Sequence, residues 1–84
     1  MKLFLISQEQ NDNYDTYSGA VVAAPNEDIA RVMNPRNGQP MDETGWNRKY
    51  SPWCSGPEHV IVRYLGEAME GVEVGLICAS FHAG

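Results

Sequence analysis

The sequence predicts a small α+β domain in the order β-β-α-β-β, an antiparallel sheet with one short helix on one face and a long aromatic-rich loop. Three observations predict it. Residues 59–66 (HVIVRYLG) and 75–83 (GLICASFHA) alternate their side chains with a period of two. Between residues 26 and 34, Ile29, Val32 and Met33 fall at i, i+3 and i+4. The stretch from 34 to 58 keeps neither period and is too long for an ordinary connection.

In chain order, KLFLISQ (2–8) is apolar and too short for a lone helix, and the turn-forming NDN at 11–13 follows it. AVVAA (20–24) carries the β-branched Val21 and Val22. Together the two runs are expected to form a hairpin. Pro25 and Asn26 then open a helix over about 26–34. Asn26 is its cap, and Glu27 and Asp28 suit the positive end of the dipole. Asn34-Pro35 stops it. In the third strand Val60, Val62 and Tyr64 share one face, and Ile61, Arg63 and Leu65 the other. In the fourth, Ile77, Ala79 and Phe81 lie opposite Ser80 and His82. The connection EAMEGVEV leads to the expectation that these last two strands pair with each other.

The 84 residues allow a single domain, 1–84. Its 43 % apolar and 20 % charged composition is that of a globular chain and not a disordered one. A chain of this size buries only about 60–65 % of its unfolded surface, so a homo-oligomer is expected. No apolar run approaches the roughly 20 residues of a membrane span, and no signal-peptide pattern opens the chain. Six basic residues stand against eleven acidic ones, a formal charge of −5, which argues against direct nucleic-acid binding. Two cysteines, Cys54 and Cys78, are too few for a disulfide framework and read as reduced thiols of a cytoplasm.

The 34–58 segment holds four of the five prolines, three of the eight aromatic residues and three of the six basic ones. It is therefore locally neutral on an acidic protein. Aromatic rings stack on bases and guanidinium groups clamp phosphates, so Arg36, Trp46, Asn47, Arg48, Lys49, Tyr50 and Trp53 are the candidate ligand-binding residues for a small nucleotide-type ligand. Trp46 and Trp53 have a competing reading, in which they fold the loop onto the sheet as a satellite core.

No catalytic motif is present, so the chain is read as a non-enzyme that needs no cofactor. Cys54, near Lys49 and His59, is the best candidate for a low-pKa thiol. Cys54, His59, Cys78 and His82 have the residue types of a zinc site. However, Cys78 and His82 would stand roughly 13 Å apart on one strand, and no metal site is assigned. NDNYDTYSG lacks the glycine and glutamate of a calcium loop. The acids at 9–15, 27–28 and 67–73 could instead present phosphate-like charge to a nucleic-acid-binding protein.

The segments NYDTYSGAVVAAPNEDIARVMNP (13–35), VRYLGEA (62–68) and GLICASFHAG (75–84) resemble a group of short hypothetical proteins of bacteriophages and prophages, and the likeness leaves out residues 36–52. The resemblance carries no catalytic motif. It implies a virus-encoded protein acting in the cytoplasm of an infected bacterial host. Small phage proteins of this kind resemble counter-defence factors. One class consists of sponges that sequester nucleotide immune signals in anti-CBASS or anti-Thoeris fashion. The other consists of anti-CRISPR-like inhibitors that bind an effector. The expected function is sequestration of a nucleotide-type signal without catalysis, with an acidic protein-binding inhibitor as the alternative.

Overall fold

A computed structural model of the chain describes residues 1–10, 16–42, 45–46 and 52–82. Its elements are β1 (Lys2–Ser7), β2 (Thr16–Ala24), α1 (Glu27–Arg31), β3 (Ile61–Glu67) and β4 (Gly75–His82), with a 3-10 turn at Pro57–His59 before β3. The four strands form one antiparallel sheet in the spatial order β3-β1-β2-β4.

β1 and β2 pair as expected, from Lys2 opposite Ala24 to Ser7 opposite Gly19. The turn at 11–13 expected to join them lies outside the described residues. The expected pairing of the last two strands is not found. β3 pairs with β1 and β4 with β2, so they occupy opposite edges. The physical reason is the length of the link. Residues 68–74 cross the end of the hairpin, held there by the Ala68 amide donating to the Met1 carbonyl at 3.0 Å. A tight turn would have forced neighbours.

Alternation places one side of the sheet inside. Phe4 and Ile6 of β1 face the same way as Val22 and Ala20 of β2 and as Tyr64 and Val62 of β3. Phe4, Ile6, Ala20, Val22 and Ala24 build the core with Ala30, Met33, Trp53, Cys54 and Val60. The register slips between Leu3 and Phe4 opposite β3, and between Tyr17 and Gly19 and between Val21 and Val22 opposite β4, so strict alternation fails near Leu65, Ser18 and Ile77.

The helix is shorter than its 26–34 reading. Asn26 is the cap as expected, its side chain accepting from the Ile29 amide at 2.9 Å. Helical bonding then ends because Met33 bridges Pro40 and Val32 accepts from the Met41 amide at 2.7 Å. A local extended bridge wins over another helical turn. The expected face holds at Met33, which is buried, and at half-buried Val32, but Ala30 is buried in place of the expected Ile29, which is 39 % exposed.

The first part of the long loop is a compact turn over 34–40, in which Asn34 accepts from the Gly38 amide at 2.7 Å and donates its own amide to Gln39. Gly38 takes φ +74, and a Cβ there would stand 2.4 Å from the Leu76 amide nitrogen. The returning part is tied down twice. The Tyr17 amide donates to Pro52 at 2.8 Å, and the Ser55 amide to Gln10 Oε1 at 2.7 Å. Trp53 and Cys54 are carried into the core between these ties.

Candidate functional site

The second side of the sheet is built from the other half of each strand. Arg63, Leu5, Val21 and Cys78 form one row across the four strands, and Ile61, Ser7, Gly19 and Ser80 the next. None of these residues belongs to the core. Ile61, Arg63, Cys78 and Ser80 are exposed, and Leu5, Ser7 and Val21 half-buried. Gly19 leaves the floor low, because a Cβ there would meet Leu5 and Ser7 at 3.6 Å. The result is a shallow open cleft of about 340 Å³ with Leu5 and Val21 at its base and Ser7, Ser18 and Ser80 supplying hydroxyls. That volume is at the small end for a ligand site. Its only charged neighbour in the rows is Arg63.

A second surface is the link between β3 and β4. Glu67, Glu70 and Glu73 are exposed there beside Met69 at 83 %, Leu65 at 48 % and Val74 at 50 %. No lysine or arginine occurs from residue 64 to residue 82. Tyr64 donates to Glu67 at 3.3 Å. Local desolvation and then that carboxylate push its phenol above the usual range. Of the nine large apolar side chains exposed among the described residues, seven lie between Ile61 and Phe81. In effect, the last third of the described chain pairs with the sheet but adds little to the core.

The residues expected to bind a ligand are not gathered by the described structure into one site. Trp53 is 1 % exposed inside the core, so neither of its faces is available to stack on a base. The satellite-core reading therefore holds for Trp53, which joins the main core itself. Trp46 is half-buried and packs against that core from its edge. Arg36 is exposed in the turn after the helix, its amide donating to Asn34 Oδ1 at 2.9 Å. Asn47, Arg48, Lys49 and Tyr50 lie outside the described residues.

Cys54 is not an activated thiol. Burial pushes its pKa up, and backbone hydrogen bonding at Gly56 and at Cys54 itself offsets this only in part. Both cysteines are free, Cys78 exposed and Cys54 buried. Among the described residues, no three His, Cys, Asp or Glu side chains are grouped as a metal site would need, and no helix is long and apolar enough to cross a membrane.

The acids at 67–73 are legible in the sequence, but the cleft is not, because it depends on β3 and β4 lying at opposite edges and the strand pattern alone fits either pairing. Comparison with known proteins finds no matching family model, no similar curated protein and no similar solved structure.

Proposed function

We propose that the chain is a non-catalytic phage counter-defence protein that binds a nucleic-acid-handling defence effector in the host cytoplasm through the link between β3 and β4. The observation that carries this reading is the mixture on that link. Exposed Met69, Leu65 and Val74 supply apolar anchors interleaved along the chain with the exposed carboxylates of Glu67, Glu70 and Glu73. Lys2 stands opposite Glu67 in the neighbouring strand, whereas no lysine or arginine lies within the link beside Glu70 and Glu73. Apolar side chains interleaved with carboxylates suit a basic nucleic-acid-binding surface. The charge speeds encounter, and the anchors slow release.

Expression in bacteria that restrict a phage by nucleic-acid-targeting immunity tests the proposal. Wild-type protein should restore plaque formation. Replacing Glu67, Glu70 and Glu73 together by Gln, or Met69 by Ala, should reduce rescue while the strand circular dichroism is kept. Rescue that is indifferent to both changes overturns this site.

Capture of a nucleotide signal is the second reading, and Arg36 and Trp46 favour it by remaining at least partly accessible on one loop. A ligand at about 100 times its Kd adds roughly 2.7 kcal/mol, and each kcal/mol raises the Tm of so small a domain by about 4–8 °C. A shift of that size with a cyclic nucleotide or an ADP-ribose derivative, lost in Arg36→Ala or Trp46→Ala, would replace the effector-binding reading.

A further inference from the structure

β4 is an edge strand with the composition of a central one. Its sequence, GLICASFH, contains no Asp, Glu, Lys, Arg or Pro. The only other strand without them is β2, which is paired on both sides. β1 carries Lys2, and the opposite edge β3 carries Arg63 and Glu67. Edges that face water are ordinarily defended by charge, by proline or by a covering segment, because their free N–H and C=O groups template another strand. On β4 the Gly38 turn lies against the first two residues, Gly75 and Leu76. From Ile77 to Phe81 the strand itself carries no charge or proline, and the Ile77 and Phe81 side chains are 51 % and 49 % exposed.

We infer that β4 pairs antiparallel with β4 of a second copy, about a two-fold axis at Ala79, to make a continuous eight-stranded sheet. Two features commit the edge to a second copy. In this register Ile77 faces Phe81 of the other copy and the same pair recurs across the axis. An aromatic and a β-branched side chain thereby cover each other twice, with the small Ala79 meeting itself. Second, each copy carries −5, so self-association requires a seam without carboxylates. β4 is such a seam, and the register leaves Glu73 of each copy beyond opposite ends of it. The inference is independent of which effector or ligand the protein binds.

Light scattering at high micromolar concentration should give twice the 9.3 kDa chain mass. Phe81→Lys and Ile77→Lys should each return the monomer with the strand circular dichroism retained. A third variant does not rely on those substitutions folding well. Ala79→Cys in a Cys78→Ser background places two thiols at the axis, where facing Cα atoms of antiparallel strands stand about 4.5–5.5 Å apart, within disulfide reach. Mild oxidation should then yield a covalent dimer in high yield. A monomeric wild type overturns the inference, whether or not its edge takes up an extended peptide. So does a dimer that survives both lysine substitutions and fails to cross-link at position 79, since the interface would then lie elsewhere.

Discussion

Arg31 Nη1 donates to the Val60 carbonyl oxygen at 2.6 Å, tying α1 to the entrance of β3, 29 positions away. Its Nη2 donates to Glu27 Oε1 at 3.0 Å one helical turn back. A five-residue helix does not persist by itself, so this strap and the Ala30–Met33 contact hold it. Val60 is buried, so its carbonyl loses a partner in a low-dielectric site if the guanidinium is removed.

Arg31→Met keeps the packing stem and removes the donor. It should cost about 1.5–3 kcal/mol, the range for a hydrogen bond to a charged group. Glu27→Gln breaks only an exposed i,i+4 pair and should cost less than about 0.5 kcal/mol. Urea unfolding of both variants decides between them. Equal losses would mean that the strap to Val60 contributes nothing beyond the surface pair.

Two glycines with positive φ should respond differently to alanine. Gly38 has φ +74 and an added Cβ would meet the Leu76 amide nitrogen at 2.4 Å, whereas Gly71 has φ +91 and open space around it. Gly71→Ala should cost about 1 kcal/mol, for backbone strain alone. Gly38→Ala adds a collision with backbone and should cost at least about 2 kcal/mol more than that. The urea midpoints of the two variants provide the comparison.

The tryptophans should separate by spectroscopy and by energy. Trp53→Ala empties a fully buried site and should cost about 3–5 kcal/mol, while the same change at half-buried Trp46 should cost less than half as much. In Trp46→Phe the remaining emission comes from Trp53 and should be blue-shifted and resistant to iodide quenching. Ready quenching would place Trp53 at the surface and restore it as a stacking residue.

The thiols make a pH prediction. Below the ordinary thiol range Cys54 is neutral in both folded and unfolded chains, and its burial carries no electrostatic penalty. Above about pH 8.5, where an unfolded thiol ionises, the folded state still holds the proton. Stability therefore falls as pH rises from there through the raised folded pKa. Cys54→Ala should flatten that alkaline slope, measured by urea unfolding between about pH 8 and pH 10. Near neutral pH, a thiol reagent should modify the exposed Cys78 and leave native Cys54 untouched.

Features that a few adjacent residues decide could be read directly from the sequence. Asn26 caps because an amide oxygen three residues before Ile29 reaches its N–H, and that needs no tertiary context. Alternation from Ile61 to Tyr64 likewise places Val62 and Tyr64 on the core side. Features decided by distant partners could not be read this way. Met33 leaves the helix because Pro40 is there to bridge it. β3 passes over β4 to pair with β1, and nothing within either strand encodes that choice. Trp53 shows the limit at the candidate site. An indole four and five residues after Lys49 and Arg48 has the same local sequence whether it lines a pocket or fills a core. What decides it is the pair of backbone ties at Pro52 and Ser55, made to Tyr17 and Gln10 far along the chain.

The arrangement of β3 and β4 on opposite edges also sets how the molecule fails. If β4 detaches, it bares β2, a nine-residue strand as free of charge as β4 itself. Partial opening thus exchanges one undefended edge for a longer one, the kind of surface that nucleates fibrillar association. Loss of β3 uncovers β1 instead, whose Lys2 offers some protection. Aggregation on mild heating should therefore track fraying of the C-terminal edge, and substitutions that anchor β4 should slow it more than equal stabilisation placed in β3.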